Sequence, residues 1–314
     1  MPERRLALLG LALVAATALF LVWGMRQPAG LILSLRATKV AALILVGASV
    51  GVATVLFQTV AGNRLLTPGI VGFDALFVFL QTALVVLLGA TGMAGLPALP
   101  RFLAEVALLA TAGVLLFGVL LRRGAADLLR MVLTGVVLGV LLRGIAGFAQ
   151  RLLDPSEFAV VQQASVATFG AVDATQLWIA SGLAVLAWAG ALRLAPALDV
   201  ALLGRTAARG LGIDHDRLVF ATLALIAVLV AGSTALVGPV TFLGLLAASL
   251  AHAILRTHRH ALILPGAAAI GAGILVLGQF AFERVLGLQS TLAVIVEFAG
   301  GLLFLALVLR KGAA

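Results

Sequence analysis

Few residues in this chain could do chemistry. Its nitrogen ligands are four histidines, His215, His252, His258 and His260, and it has no cysteine. The histidines do not fall at a ligand spacing such as HExxH, and His258-Arg259-His260 reads as solvated polarity in a loop. Without a thiol there is no disulfide, thiolate site or iron–sulfur ligand set. A phosphate-cradling loop ends in Gly-Lys-Ser/Thr, whereas Lys39 and Lys311 follow Thr38 and Arg310. ATP cannot be held here in that manner, so any ATP drive must come from another chain. No cofactor is expected. What remains is a set of charges inside apolar runs: Asp74, Glu105, Arg143 and Glu297. Buried charges are costly in lipid and often mark a pathway. Glu297, well inside the last run, is either a pathway residue or a hydrogen-bond partner for a neighbouring helix or subunit. Asp74, after Gly72-Phe73, reads as a cap or packing residue. Glu105 and Arg143 read as a structural pair between two spans.

The scaffold that holds these charges is a membrane one. Hydrophobic residues make up 63% of the chain and charged residues 11%, and the mean hydropathy is +1.23. Soluble domains carry about 25% charge. The fold class is therefore an all-α integral membrane protein, with residues 1–314 as a single transmembrane domain. At roughly 20 residues per span there is room for about ten helices. The apolar runs exceed the roughly 10-residue alternating strands of a membrane barrel. Expected spans are Leu6–Trp23, Val40–Val60, Val71–Ala90, Phe102–Leu121, Met131–Gln150, Gln176–Leu194, Leu218–Leu236, Phe242–Leu255, Leu262–Phe280 and Leu292–Leu309. The eighth is short for a crossing and follows a Gly238-Pro239 turn. The first exceeds a signal-peptide core, so it reads as an uncleaved helix.

Orientation follows from the cations. With the N-terminus inside, 14 of the 21 Lys and Arg fall on the cytoplasmic side. The outer minority is Arg26, Arg36, Lys39, Arg101, Arg143, Arg151 and Arg284. The positive-inside rule thus places both termini in the cytoplasm. The formal charge of +9 does not indicate nucleic acid, because the cations are dispersed between spans. No internal repeat is evident, which argues against an inverted-repeat transporter.

Two polar breaks stand out. Asn63–Asp74, with Pro68-Gly69 at its centre, has turn chemistry and reads as a structured loop. Asp199–Ile213, DVALLGRTAARGLGI, reads as a short amphipathic helix on the cytoplasmic side. Asp199 would cap it, and Gly210 and Gly212 would end it. Leu202, Leu203, Ala207 and Leu211 would form its apolar stripe, with Arg205 and Arg209 on another face. It is either a handle for another protein or an ordinary basic loop.

These residues carry a resemblance. LRATK at Leu35–Lys39, NRLLTPGIVGFDAL at Asn63–Leu76, LLGRTAARGLGI at Leu202–Ile213 and VGPVTFLGLL at Val237–Leu246 resemble, in order and spacing, the permeases of iron–siderophore ABC importers. This is the FecCD-type family, which also includes the cobalamin importer permease. FQTVAGNRLLTPGIVGFDAL (Phe57–Leu76), RLLDPSEFAVVQ (Arg151–Gln162) and GPVTFLGLLAASLAH (Gly238–His252) look closest to its catecholate branch, the petrobactin, enterobactin and vibriobactin sort. Gly278-Gln279 is a further feature of that branch. One departure is Glu297-Phe298-Ala299-Gly300-Gly301, where the branch usually has Asn before Phe-x-Gly-Gly.

The resemblance implies a type II ABC importer permease in the bacterial inner membrane, carrying a ferric siderophore and possessing no catalytic site of its own. It implies four kinds of partner: a second, homologous permease, two cytoplasmic ATPase subunits, a periplasmic or lipid-anchored binding protein, and the lipid membrane. The coupling segment would be 198–213, with Leu203, Gly204, Arg205, Ala207, Ala208, Arg209, Leu211 and Gly212 meeting the ATPase. Arg36, Lys39 and Arg284 match positions that dock the binding protein in the cobalamin relative; alternatively they snorkel to the lipid surface. Gln58 and Glu297 are pathway candidates. Other iron chelates, cobalamin and a proton-coupled secondary transporter are the competing readings.

Overall fold

The computed structural model describes residues 1–24, 29–122, 128–287 and 292–312, and contains no strand among them. The helices run in order as α1 (Pro2–Val22), α2 (Ala29–Ala61), α3 (Asp74–Gly95), α4 (Ala98–Arg122), α5 (Leu128–Gln150), α6 (Pro155–Ala164), α7 (Ala174–Ala201), α8 (Arg205–Gly210), α9 (His215–Val237), α10 (Leu243–Leu255), α11 (His260–Phe280) and α12 (Leu292–Gly312). Single π-helical turns, Gly69–Phe73 and Ala281–Val285, precede α3 and follow α11. Eight helices are long and apolar enough to cross a membrane among the described residues. The apolar helices α10 and α12 occupy the places expected for the eighth and tenth spans. Of the cations that set the orientation, Arg26 and Arg123 lie outside the described residues, as do the side chains of Arg122, Arg130, Arg310 and Lys311.

The bundle is organised around α2. In its most apolar stretch 83% of residues are buried, against 11% in α1. Lipid tails are as apolar as leucine, so membrane helices associate through close packing of small residues. The α2–α11 contact is of that kind. A Cβ added at Gly47 would lie 2.5 Å from the Gly271 carbonyl, and one at Gly51 would lie 2.5 Å from the Ala267 oxygen. The two backbones therefore touch along a pair of small-xxx-small stripes.

The helix ends differ from the expected ones where polar side chains are satisfied locally. α2 begins at Ala29, well before the expected Val40. Its Ser34 and Thr38 hydroxyls donate to the Leu31 and Ser34 carbonyls at 2.9 and 3.1 Å. Arg36 is only 7% exposed. Its guanidinium donates to the carbonyls of Leu21 and Trp23, both at 2.8 Å, and so closes the end of α1. The helix α6 had no counterpart in the hydropathy pattern. It starts at a reciprocal capping box between Asp154 and Glu157.

Candidate functional site

The helix α7 passes through Pro196 and ends at Ala201, so Asp199 lies inside its last turn. The expected cap on the short helix is therefore corrected. Asp199 instead accepts from the backbone N–H of His260 at 2.7 Å, at the start of α11. α8 is entered through Gly204, whose φ of +93° favours glycine, and a Cβ there would meet open space. Gly212, with φ +83°, lets the chain turn into α9.

Of the expected stripe, Leu203 and Leu211 are each 65% exposed, and Leu202 and Ala207 are exposed as well. Ala208 is fully buried, so it seats α8 on the bundle and offers no outward surface. Arg205 and Arg209 both turn back onto Asp216, in the first turn of α9, at 3.1 and 2.6 Å. These exposed pairs are screened by solvent and contribute little stability, but they bring α8 onto the first turn of α9. The result is an exposed apolar ridge of Leu202, Leu203, Ala207 and Leu211.

The outer candidates separate. Arg36 is occupied as the cap on α1. Lys39 pairs with Glu283 at 2.6 Å, and Gln279 donates to the same carboxylate oxygen, also at 2.6 Å. Arg284, in the π-turn after α11, is exposed.

The intramembrane candidates also separate. Glu105 pairs with Arg101 one turn earlier, at 2.9 Å, and this ion pair replaces the expected partnership with Arg143. Beside it a cleft of about 320 Å³ is lined in part by Gln81, Gln163 and Thr234. Asp74 is buried, and its Oδ2 has no hydrogen-bond partner among the described residues. Glu297 is half-buried and accepts from the Thr241 hydroxyl at 3.4 Å. Thr241 belongs to the turn between α9 and α10, so Glu297 sits beside that break in the helical run. Gln58 is buried near the inner end of α2 and donates to the Arg64 carbonyl at 2.6 Å.

His260 differs most from expectation. The sequence reads as placing it in a solvated loop, whereas it is the first residue of α11 and 2% exposed. Its partners, Asp199 and Thr59, lie 61 and 201 residues away, beyond the reach of any local pattern. Asp216 was also missed, although an acid in the first turn of a helix close to two arginines was a legible signal. No group of three or more His, Cys, Asp or Glu side chains is placed to hold a metal ion among the described residues.

The chain matches the FecCD transport family over residues 6–310. It is 38% identical over 276 residues to the petrobactin import system permease protein YclO of Bacillus subtilis, covering 88% of each chain. It is 32% identical to the petrobactin import system permease protein FatC of Bacillus anthracis, covering 88% of this chain and 78% of that one. Against the vitamin B12 import system permease protein BtuC of Vibrio cholerae it is 30% identical, covering 93% and 83%. Among solved structures, a metal-chelate type ABC transporter in an inward-facing conformation superposes with a TM-score of 0.83 at 21% identity, over 99% of this chain and 100% of that one.

Proposed function

The chain belongs to the FecCD transport family, and from that premise we propose that it is the membrane-spanning permease of an ATP-driven importer of a ferric siderophore. The observation that carries this reading is the likeness to two petrobactin import permeases over 88% of the chain. The energy source lies in partner ATPases. The exposed ridge of Leu202, Leu203, Ala207 and Leu211 supports this, being an apolar surface on the cytoplasmic face of a chain without a phosphate-binding loop. The segment 198–213 is the coupling element. Arg205 and Arg209, with Asp216, hold the ridge outward, while Gly204 and Gly212 supply the two turns that set it off from α7 and α9.

On the outer face the docking of a binding protein centres on the exposed Arg284. Lys39 keeps part of its hydrogen-bonding capacity beside Glu283, and such contacts weaken as salt rises. The pathway runs between this chain and a second, homologous permease, with Glu297 on its lining. Conduction requires contacts weak enough for the ligand to leave. An acid at Glu297 disfavours a highly anionic chelate and so contributes to ligand choice.

The test is uptake into proteoliposomes holding this chain with its companion permease, ATPase and binding protein. A panel of ferric petrobactin, a ferric hydroxamate and cobalamin is offered. ATP-dependent uptake of ferric petrobactin is expected. Uptake by this chain alone on a proton gradient would overturn the ATP-driven reading, and ATP-dependent uptake of cobalamin alone would overturn the siderophore.

A further inference from the structure

The inner ends of three helices meet at one imidazole. His260 opens α11 with its ring buried. Its Nδ1 lies 2.6 Å from Asp199 Oδ1, which also accepts the His260 backbone N–H at 2.7 Å. Asp199 stands in the last turn of α7, three residues before Leu202. The other ring nitrogen, Nε2, is 2.8 Å from the hydroxyl of Thr59 on α2. A small cavity next to the ring is lined by Leu202, Gln58, Arg64, His252 and His258. The exposed ridge therefore begins directly beside this junction.

Donor and acceptor accounting explains why a histidine stands here. The carboxylate of Asp199 can only accept, so Nδ1 must donate. The Thr59 hydroxyl has one proton and two partners, Nε2 and the Val55 carbonyl at 2.9 Å. With Nδ1 donating, the neutral ring leaves Nε2 an acceptor, so the Thr59 hydroxyl donates to Nε2. A single rigid ring thus spans from α7 to α2, with a donor at Nδ1 and an acceptor at Nε2.

We infer that His260 is a positioning residue for energy coupling, tying the end of α7, where the exposed ridge begins, to α2 at the centre of the bundle. Displacement of the ridge by the ATPase is passed through Asp199 and His260 to α2 and α11. Those helices touch backbone to backbone at Gly47 and Gly271, so they move as one body. This inference rests on reading 198–213 as the ATPase contact.

The test uses the complete importer in proteoliposomes and compares basal ATP hydrolysis with hydrolysis in the presence of the binding protein and ferric petrobactin. The variants are His260→Ala, Thr59→Val, His260→Asn, which keeps a donor towards Asp199, and His260→Gln, which keeps a polar atom towards Thr59. Co-purification of the ATPase and basal hydrolysis are expected to be unchanged. The response to the binding protein across the membrane should fall about fivefold or more in Thr59→Val and His260→Ala, a loss on the scale of typical coupling between sites. His260→Asn and His260→Gln, each keeping one link, should lie between. Should His260→Ala fail to assemble, the isosteric Thr59→Val alone decides. An unchanged response in Thr59→Val overturns the inference. A separate pair, Leu203→Asp and Leu211→Asp, examines the premise: if both still co-purify the ATPase, the ridge is not its contact, whatever the clamp variants do.

Discussion

At the scale of single residues, chemical type alone did not distinguish the roles of the outer cations. Arg36, Lys39 and Arg284 are all basic and all on one face, yet one closes a helix, one is paired and one is exposed. Their substitutions should therefore part ways. Arg36→Met leaves the carbonyls of Leu21 and Trp23 without their donor and should destabilise the protein by about 1–3 kcal/mol, read as a lowered thermal midpoint in detergent. Arg284→Glu should leave the midpoint unchanged and slow association of the binding protein. In surface plasmon resonance that difference from the native chain should shrink as salt is raised. Equal loss of stability in both variants would contradict this division. Glu297→Gln belongs at the same scale. Removing the charge should raise ATP-dependent uptake of anionic ferric chelates relative to neutral ones, and unchanged relative rates would place Glu297 off the pathway.

At the scale of elements, the α2–α11 contact gives the sharpest expectation. Gly47→Val would drive methyl groups into the Gly271 carbonyl, and overpacking of this sort costs about 1–3 kcal/mol. The thermal midpoint should fall, whereas Gly273→Ala on α11, where a Cβ meets nothing within 4 Å, should leave it in place. This contact also marks how far the sequence could be read. Hydropathy located most of the membrane helices, because an apolar run of some 20 residues has few other uses. The expected shortness of the eighth span held, since Gly238 and Pro239 end one helix and α10 has only 13 residues. The ends were less legible. α2 continues through Arg36 and Lys39 because these charges find partners on α1 and after α11, and such partners are a tertiary matter. The same limit hid the site. Asp199 looked like a cap for the segment after it, but its acceptor capacity is used by α11, which no spacing rule could announce. Ala208 looked like its neighbour Ala207, and only packing tells the buried one from the exposed one.

At the scale of the whole molecule, the cytoplasmic ridge, the central helix and the outer cations lie along one body, and the length of α2 has a consequence for the surrounding lipid. α2 has 33 residues, which at about 1.5 Å per residue is roughly 50 Å. The hydrocarbon core is about 30 Å thick, and even at a tilt of about 40° the helix still covers roughly 38 Å along the membrane normal. It cannot be contained in the apolar layer, so at least one end stands clear of it. The inner end is fastened at His260, and the outer end carries Ser34, Arg36, Thr38 and Lys39. Bilayer thickness therefore decides how much water the Lys39–Glu283 pair sees. Lipids with longer acyl chains would draw that pair towards hydrocarbon, and shorter ones would leave it wet, so under the docking proposed above acyl-chain length is expected to tune how the outer face is presented, with no substitution in the chain.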